Sequence, residues 1–460
     1  MSATRKNPLQ IPELLTRISL FVGIEDALTC TQVCQSWTHE FARTIWHTID
    51  FDVQRHFTML DERVLAKYGH HIRVLYNLSD HLQVLAIDKS GAPGLRRISF
   101  DIRAELALQS SCAKIIARSC DRLEYLSLSI QLHLVGHTSQ FFFDELLLQS
   151  SPLSRLSRLK LHEMAISRSS FSSLLEFCPV LVHLSMWDIV LTGNSDRYFK
   201  HQRIKQLGAP IDQIFQSVMC VDDISKDAIA PSLFIHFPNL TIWQTWGASM
   251  PLPIPTHVVR RDLTRFCPQM TSFYAQTNTT VAIELIPTAF RNLTEIGVVY
   301  TNISPELINV ILQHRETLEE IDVIMDLKES YFEDNEVFTV PDHLENHEQA
   351  IQALLQLCRR LKKFSLPLHL MTMDQIERNG WSCDNLEVFW TRIKGMETKE
   401  QIHRATQLWH DARQQQKYGD LASCVIDVQD ESIEARVARH LLKFPKLREV
   451  WLGAGIKRVQ

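Results

Sequence analysis

The stretch LEYLSL, residues 123–128, carries an apolar residue, two others, an apolar residue, one other and a last apolar residue. Its second half alternates with period two. In a β-strand that alternation puts Leu126 and Leu128 on one face and Tyr125 and Ser127 on the other. The same form recurs as LRRISF from Leu95, LSRLKL from Leu156, LVHLSM from Leu181, LTEIGV from Leu293, LEEIDV from Leu318, LKKFSL from Leu361, LEVFWT from Leu386 and LREVWL from Leu447. Looser copies are LTIWQT from Leu240 and MTSFYA from Met270. Most starts are 23 to 33 residues apart, one interval is 43, and two are 59 and 61. IKQLGA from Ile204 is a candidate degenerate copy inside the first long interval.

Between the copies the apolar period changes to that of a helix. SPELINVILQH, residues 304–314, offers Ser304 as N-cap, Pro305 at the first helical position, and Leu307, Ile308, Ile311 and Leu312 at helical spacing. CAKIIARSC and EQAIQALLQLC fill the same slot before Leu123 and Leu361. A strand, a turn and a helix in about 25 residues cannot bury their own apolar faces, so such units must stack on one another.

These units resemble the leucine-rich repeat, in its irregular, cysteine-containing form. A Cys or Phe, often with Pro, precedes the strand in CDRL, CPVL, FPNL, CPQM, CRRL, CDNL and FPKL. Cys120, Cys178, Cys267, Cys358 and Cys383 are therefore read as small buried apolar residues near helix ends. The resemblance covers roughly residues 70–460 and implies a solenoid with a curved parallel sheet inside and helices outside.

The N-terminal stretch NPLQIPELLTRISLFVGIEDALTCTQVCQSWTHEFARTIWHTIDF, from residue 7, has a different pattern. Ile11-Pro12-Glu13 opens an apolar helix. A turn at Gly23 leads to Asp26, a candidate N-cap, and to a second helix through Leu28, Cys30 and Val33. A third amphipathic stretch carries Trp37, Phe41, Ile45 and Trp46. Cys30 and Cys34, one turn apart in that reading, are packing residues, because no further ligands stand at zinc spacing. The order Ile11-Pro12-Glu13, Glu25-Asp26, Val33-Cys34 and Trp37 resembles an F-box, with Gly23-Ile24 in place of the usual acidic or Pro-containing turn. The resemblance implies an α/β chain in which a three-helix F-box precedes the repeat solenoid. Its divisions are a helical module at 7–50, a connecting segment at 51–70, and repeats at 71–460 with insertions around 190–235, 326–346 and 395–440.

The F-box family binds the Skp adaptor of a cullin-type ubiquitin ligase. By resemblance Pro12, Leu14, Leu15, Ile18, Leu28, Val33, Cys34 and Trp37 take that role, with Pro12, Leu15 and Val33 expected to face the adaptor. Some of them must also build the module's own core. The implied function is the substrate-recognition subunit of a cullin-type (SCF) E3 ligase. A scaffold acting outside a ligase is the alternative, and an enzyme site assembled across distant repeats is a third reading.

Composition bounds these readings. With 45% hydrophobic and 22% charged residues the chain is globular, and a net charge of -5 gives no global pull toward nucleic acid or membrane. Neither a membrane-length apolar run nor a signal-peptide pattern is found. Ten scattered cysteines read as free thiols of a reducing compartment, cytoplasmic or nuclear. Only 14 glycines, about half the usual ~7%, and no phosphate-loop, nucleophile-elbow or zinc-protease motif point away from an enzyme, a cofactor or a metal.

Target contact is expected on the concave strand face, where the repeat register turns Trp187, Tyr274, Trp390 and Trp451 outward, with Trp246 beside them. A register slip of one would place them in the core. From Glu316 to Gln349 twelve acidic residues face the single Lys328. The segment is read as a solvated loop or as a docking element for a basic target. His343 and His347 within it have no third metal ligand at suitable spacing.

Overall fold

The computed structural model describes residues 11–52, 62–102, 106–130, 138–149, 151–193, 199–215, 232–246, 256–276, 279–299, 305–324, 348–396, 398–418, 426 and 430–452. The chain divides into two compact units, Met1–Gly208 and Ala209–Gln460. Each is built from parallel strands joined by helices, an α/β architecture of the leucine-rich-repeat class.

The first unit begins with three helices, α1 (Pro12–Ser19), α2 (Ile24–Thr31) and α3 (Gln35–His47). Its strands follow as β1 (Thr48–Asp50), β2 (Val74–Leu78), β3 (Arg97–Ile102), β4 (Tyr125–Ile130), β5 (Arg158–Ser167), β6 (His183–Thr192) and β7 (Gln206–Gly208). Each pairs parallel with the next. Helices such as Leu106–Ser119 and Arg168–Phe177 supply the crossovers that parallel pairing requires. In the second unit β8 (Ile242–Trp246), β9 (Ser272–Gln276), β10 (Glu295–Val299), β11 (Glu320–Ile324), β12 (Lys363–Met371), β13 (Val388–Ile393) and β14 (Glu449–Leu452) pair in the same manner.

Every copy of the sequence pattern, including IKQLGA, leads into one of these strands. The leading residues Leu95, Leu123, Leu156, Leu181, Ile204, Leu240, Leu293, Leu318, Leu361, Leu386 and Leu447 are fully buried. In-register rows make the core: Ile98, Leu126, Leu159, Leu184 and Leu207 in the first unit, and Trp243, Phe273, Ile296, Ile321, Phe364 and Phe389 in the second. The five repeat cysteines are buried as read. Burial pushes the thiols of Cys178, Cys358 and Cys383 up to about 12, because a thiolate there would lose its hydration. Helix Pro305–Leu312 starts at its proline, and Glu348–Leu357 stands in the slot read for it.

Two strands escaped the pattern, β1 and β2. In β2 the buried residues Leu75 and Leu78 are three apart, not two, because the register shifts between them and Asn77 takes φ 57°. A bulge of this kind lets Leu78 pair with Phe100 while hiding the period-two signal. Glu163 (φ 50°) in β5 and Asp188 (φ 52°) in β6 also take positive φ, but there both neighbouring strands skip one residue and their register is kept. Of the expected insertions, 190–235 includes β7, and 395–440 includes the helices Lys399–Tyr418 and Ile433–Leu441.

Candidate functional site

The three N-terminal helices enclose a small core of Leu15, Ala27, Phe41 and Ile45, with Val22, Cys30, Trp37 and Trp46 half-buried around it. Side chains tie the helices together. The Thr16 hydroxyl donates to Glu40 Oε2 at 2.7 Å, Thr38 to the Thr31 carbonyl at 2.6 Å, and Thr44 to the Ser19 carbonyl at 3.0 Å. So few apolar residues are enclosed that many are left outside: Leu14, Ile18, Leu20, Leu28, Val33 at 61% exposure and Phe21 at 90%. The other large exposed apolar side chains of the described residues are scattered from Leu82 to Leu357. A concentration of this kind marks an interaction surface.

Of the residues expected to face an adaptor, Pro12, Leu14, Ile18, Leu28, Val33 and Cys34 are exposed, and Trp37 is half-buried. Leu15 is not on that face. It is 1% exposed, in the middle of the core, because the position one residue after Leu14 is turned about 100° round the helix toward Phe41. Cys34 also departs from the sequence reading. The second helix begins after Gly23, not Asp26, and ends at Thr31. Cys34 is the N-cap of α3, so it does not share a helix with Cys30. Its exposed Sγ lies 3.1 Å from Ser36 Oγ, and that contact, with the backbone N–H of Trp37, holds the thiol below its usual pKa.

On the sheets, residues between the core rows form outward rows. Trp187 is 41% exposed, beside His162 on the next strand, with ring centroids 5.5 Å apart. Tyr274, Trp390 and Trp451 are half-buried members of one row in the second unit. Trp390 and Trp451 are paired in register, their rings 5.2 Å apart and tilted by 38°. Trp246 ends β8, and its side chain lies outside the described residues. Tyr274, Trp390 and Trp451 share one row of the second unit, and Trp187 belongs to the first unit.

That row carries charge which aromatic counting overlooked. In chain order it reads Gln244, Tyr274, Gly297, Asp322, Ser365, Trp390, Trp451; the parallel row beside it includes Ser272, Glu295, Glu320, Lys363, Val388 and Glu449. Glu295 and Glu320 are register neighbours. Burial, and then the charge of Glu295, push the Glu320 carboxyl up. The Tyr274 hydroxyl donates to Glu295 Oε2 at 2.8 Å, and Trp451 Nε1 donates to Glu449 Oε1 at 3.0 Å. The Tyr274 ring lies across Gly297, where a Cβ would stand 2.1 Å from its Cδ1. Lys363 Nζ pairs with Asp322 at 3.0 Å.

The acidic run is therefore not all loop. Glu320 and Asp322 belong to β11, and Glu319 just before it binds Arg360 at 2.6 Å and Lys362 at 2.5 Å. Residues 325–347, with His343 and His347, lie outside the described residues. The signal was present at the variable positions of LTEIGV, LEEIDV and LREVWL. On the helix side of the same unit His257, Arg260, Arg261, Arg265 and Arg291 line an open depression of about 400 Å³.

No family model matches the chain, and no curated protein matches it. The chain is similar to several solved structures, among them the following two. One is a Rad7–Elc1 complex from yeast, 13% identical with TM-score 0.36, spanning 84% of this chain and 89% of that one. The other is a complex of TLR13 with ssRNA13, 12% identical with TM-score 0.33, spanning 77% of this chain and 59% of that one. Scores of this size carry no conclusion about fold or function. Among the described residues no helix is long and apolar enough to cross a membrane.

Proposed function

We propose that this chain is the substrate-recognition subunit of a cullin-type E3 ubiquitin ligase. In this reading the three N-terminal helices are an F-box that binds a Skp-family adaptor and through it a cullin, and the repeat sheet holds the target. The chain makes and breaks no bonds itself. It raises the effective concentration of target lysines near a ubiquitin-loaded enzyme.

The observation that carries the reading is the exposed apolar set Leu14, Ile18, Leu20, Phe21, Leu28 and Val33 around a core of only four residues. A unit this small gains much of its stability from burying such a face against a partner. Removing Phe21 and Val33 from water would alone contribute on the order of 3–5 kcal/mol to association.

The test is co-purification with the Skp adaptor, comparing the full chain with Val33→Asp and with a truncation starting at residue 60. Capture by the full chain and loss in both altered forms supports the reading. Capture that survives Val33→Asp together with Phe21→Asp sinks it. A scaffold role outside a ligase is the second reading, favoured if the adaptor binds but a bound target does not turn over.

A further inference from the structure

The outward sheet face of the second unit has a chemistry of its own. Glu295, Glu320, Asp322 and Glu449 stand on it against Lys363 and Arg392. The equivalent rows of the first unit hold Arg97, Arg158 and Lys160, with Lys160 Nζ 5.9 Å over the Tyr125 ring. The acidic character thus belongs to one unit and is not a general property of the repeat.

Two atoms in the middle of this face have unused hydrogen-bonding capacity. Ser365 is 1% exposed and, among the described residues, its Oγ has no partner; the Oδ1 of Asp322, its register neighbour on β11, has none either. A native structure seldom leaves such atoms idle, and both are enclosed beneath the face. On the far side of Ser365 is Trp390, followed by Trp451. With its indole N–H directed to Glu449, Trp451 presents a ring beside a carboxylate, an arrangement that favours an ammonium or guanidinium over the ring face.

We propose that this face is a docking site for an extended, lysine- or arginine-rich protein segment, held by Glu295, Glu320, Asp322 and Glu449 and by the Trp390–Trp451 pair. The carboxylates supply charge complementarity, and the indoles supply stacking surface for cationic side chains. The inference rests on the reading that the sheet holds the target, and it needs no adaptor. It therefore stands or falls separately from the helical module.

Fluorescence anisotropy on the full chain tests it, with labelled ~12-residue peptides of alternating Lys-Ser and Glu-Ser sequence in about 150 mM salt. The cationic peptide is expected to bind at least about tenfold more tightly. Glu295→Gln with Glu320→Gln, which keeps shape and the acceptor for Tyr274, should weaken it about tenfold, whereas Arg97→Gln should not. Trp390→Phe with Trp451→Phe should weaken it by a smaller factor in a chain with unchanged circular dichroism. Equal binding of the two peptides overturns the proposal, as does binding unchanged in the glutamine variant. So does a loss produced by neutralising Glu333, Asp334 and Glu336 instead, which would put the docking on the acidic insertion. Adaptor capture measured on the same glutamine variant reports on the helical module alone.

Discussion

The N-terminal helices and the strand repeats of the second unit use apolar side chains in opposite ways. In the helical module four residues form the core, and Phe21, in the turn between α1 and α2, is 90% exposed. In the repeats whole rows are enclosed, and Trp243 touches rings on two sides, Phe234 at 5.3 Å and Phe273 at 5.2 Å. The difference is one of size. A repeat borrows its core from its neighbours and can bury every large residue on its inner face, whereas three short helices have only each other. Exposed apolar surface therefore concentrates on the helices, and the repeats are left to present charge and half-buried aromatics.

Substitutions can break that comparison. Trp243→Ala should have the largest effect, about 3–5 kcal/mol lost from the second unit in urea denaturation of the full chain. A loss near zero would mean that the rows do not pack as a continuous core. Leu15→Ala comes next, at about 2–5 kcal/mol, read as early melting of the helical module. Its contrast is Val33→Asp, expected to change stability by no more than about 0.5 kcal/mol while abolishing adaptor capture. Equal destabilisation by the two would erase the distinction between core and face.

A third probe uses His440, buried against Trp381 with ring centroids 4.5 Å apart and, among the described residues, no hydrogen-bond partner on either nitrogen. Burial holds its imidazole down to about 4, against about 6.5 in an unfolded chain. Between those values the unfolded state binds the extra proton, so stability is full at pH 7 and falls as the pH drops. The expected loss by pH 5 is about 2 kcal/mol. Thermal melts at pH 7 and pH 5 should show a larger drop for the native chain than for His440→Leu; equal drops would remove His440 as the cause. The smallest effect is kinetic. A thiol reagent should modify exposed Cys34 in the folded chain and reach Cys178, Cys267, Cys358 and Cys383 only on unfolding. Rapid native labelling of Cys178 would contradict its enclosure.

Much of this was legible in the sequence, for a physical reason. The strands of the repeats were readable because period two survives wherever a strand has one buried face, and the buried cysteines because they fall at a fixed place before it. Reading failed where one residue was added or one side chain had two possible homes. Asn77 breaks the alternation in β2 and hides the strand. Leu14 and Leu15 are equally apolar, and only the packing of α1 against Phe41 decides which is core. Glu320 and Asp322 were visible as letters but were assigned to a loop run by proximity in sequence; strand register makes Glu295, outside that run, the neighbour of Glu320.

The in-register rows also act as a ruler. Adjacent parallel strands are about 4.8 Å apart, so Glu295 on β10 and Trp451 on β14 are separated by four spacings, about 19 Å. An extended chain advances about 3.4 Å per residue. A segment lying across the strands thus needs about six residues to reach from the acidic middle to the aromatic end. Shorter segments can occupy one or the other, and the length of a bound segment becomes a quantity the sheet can measure.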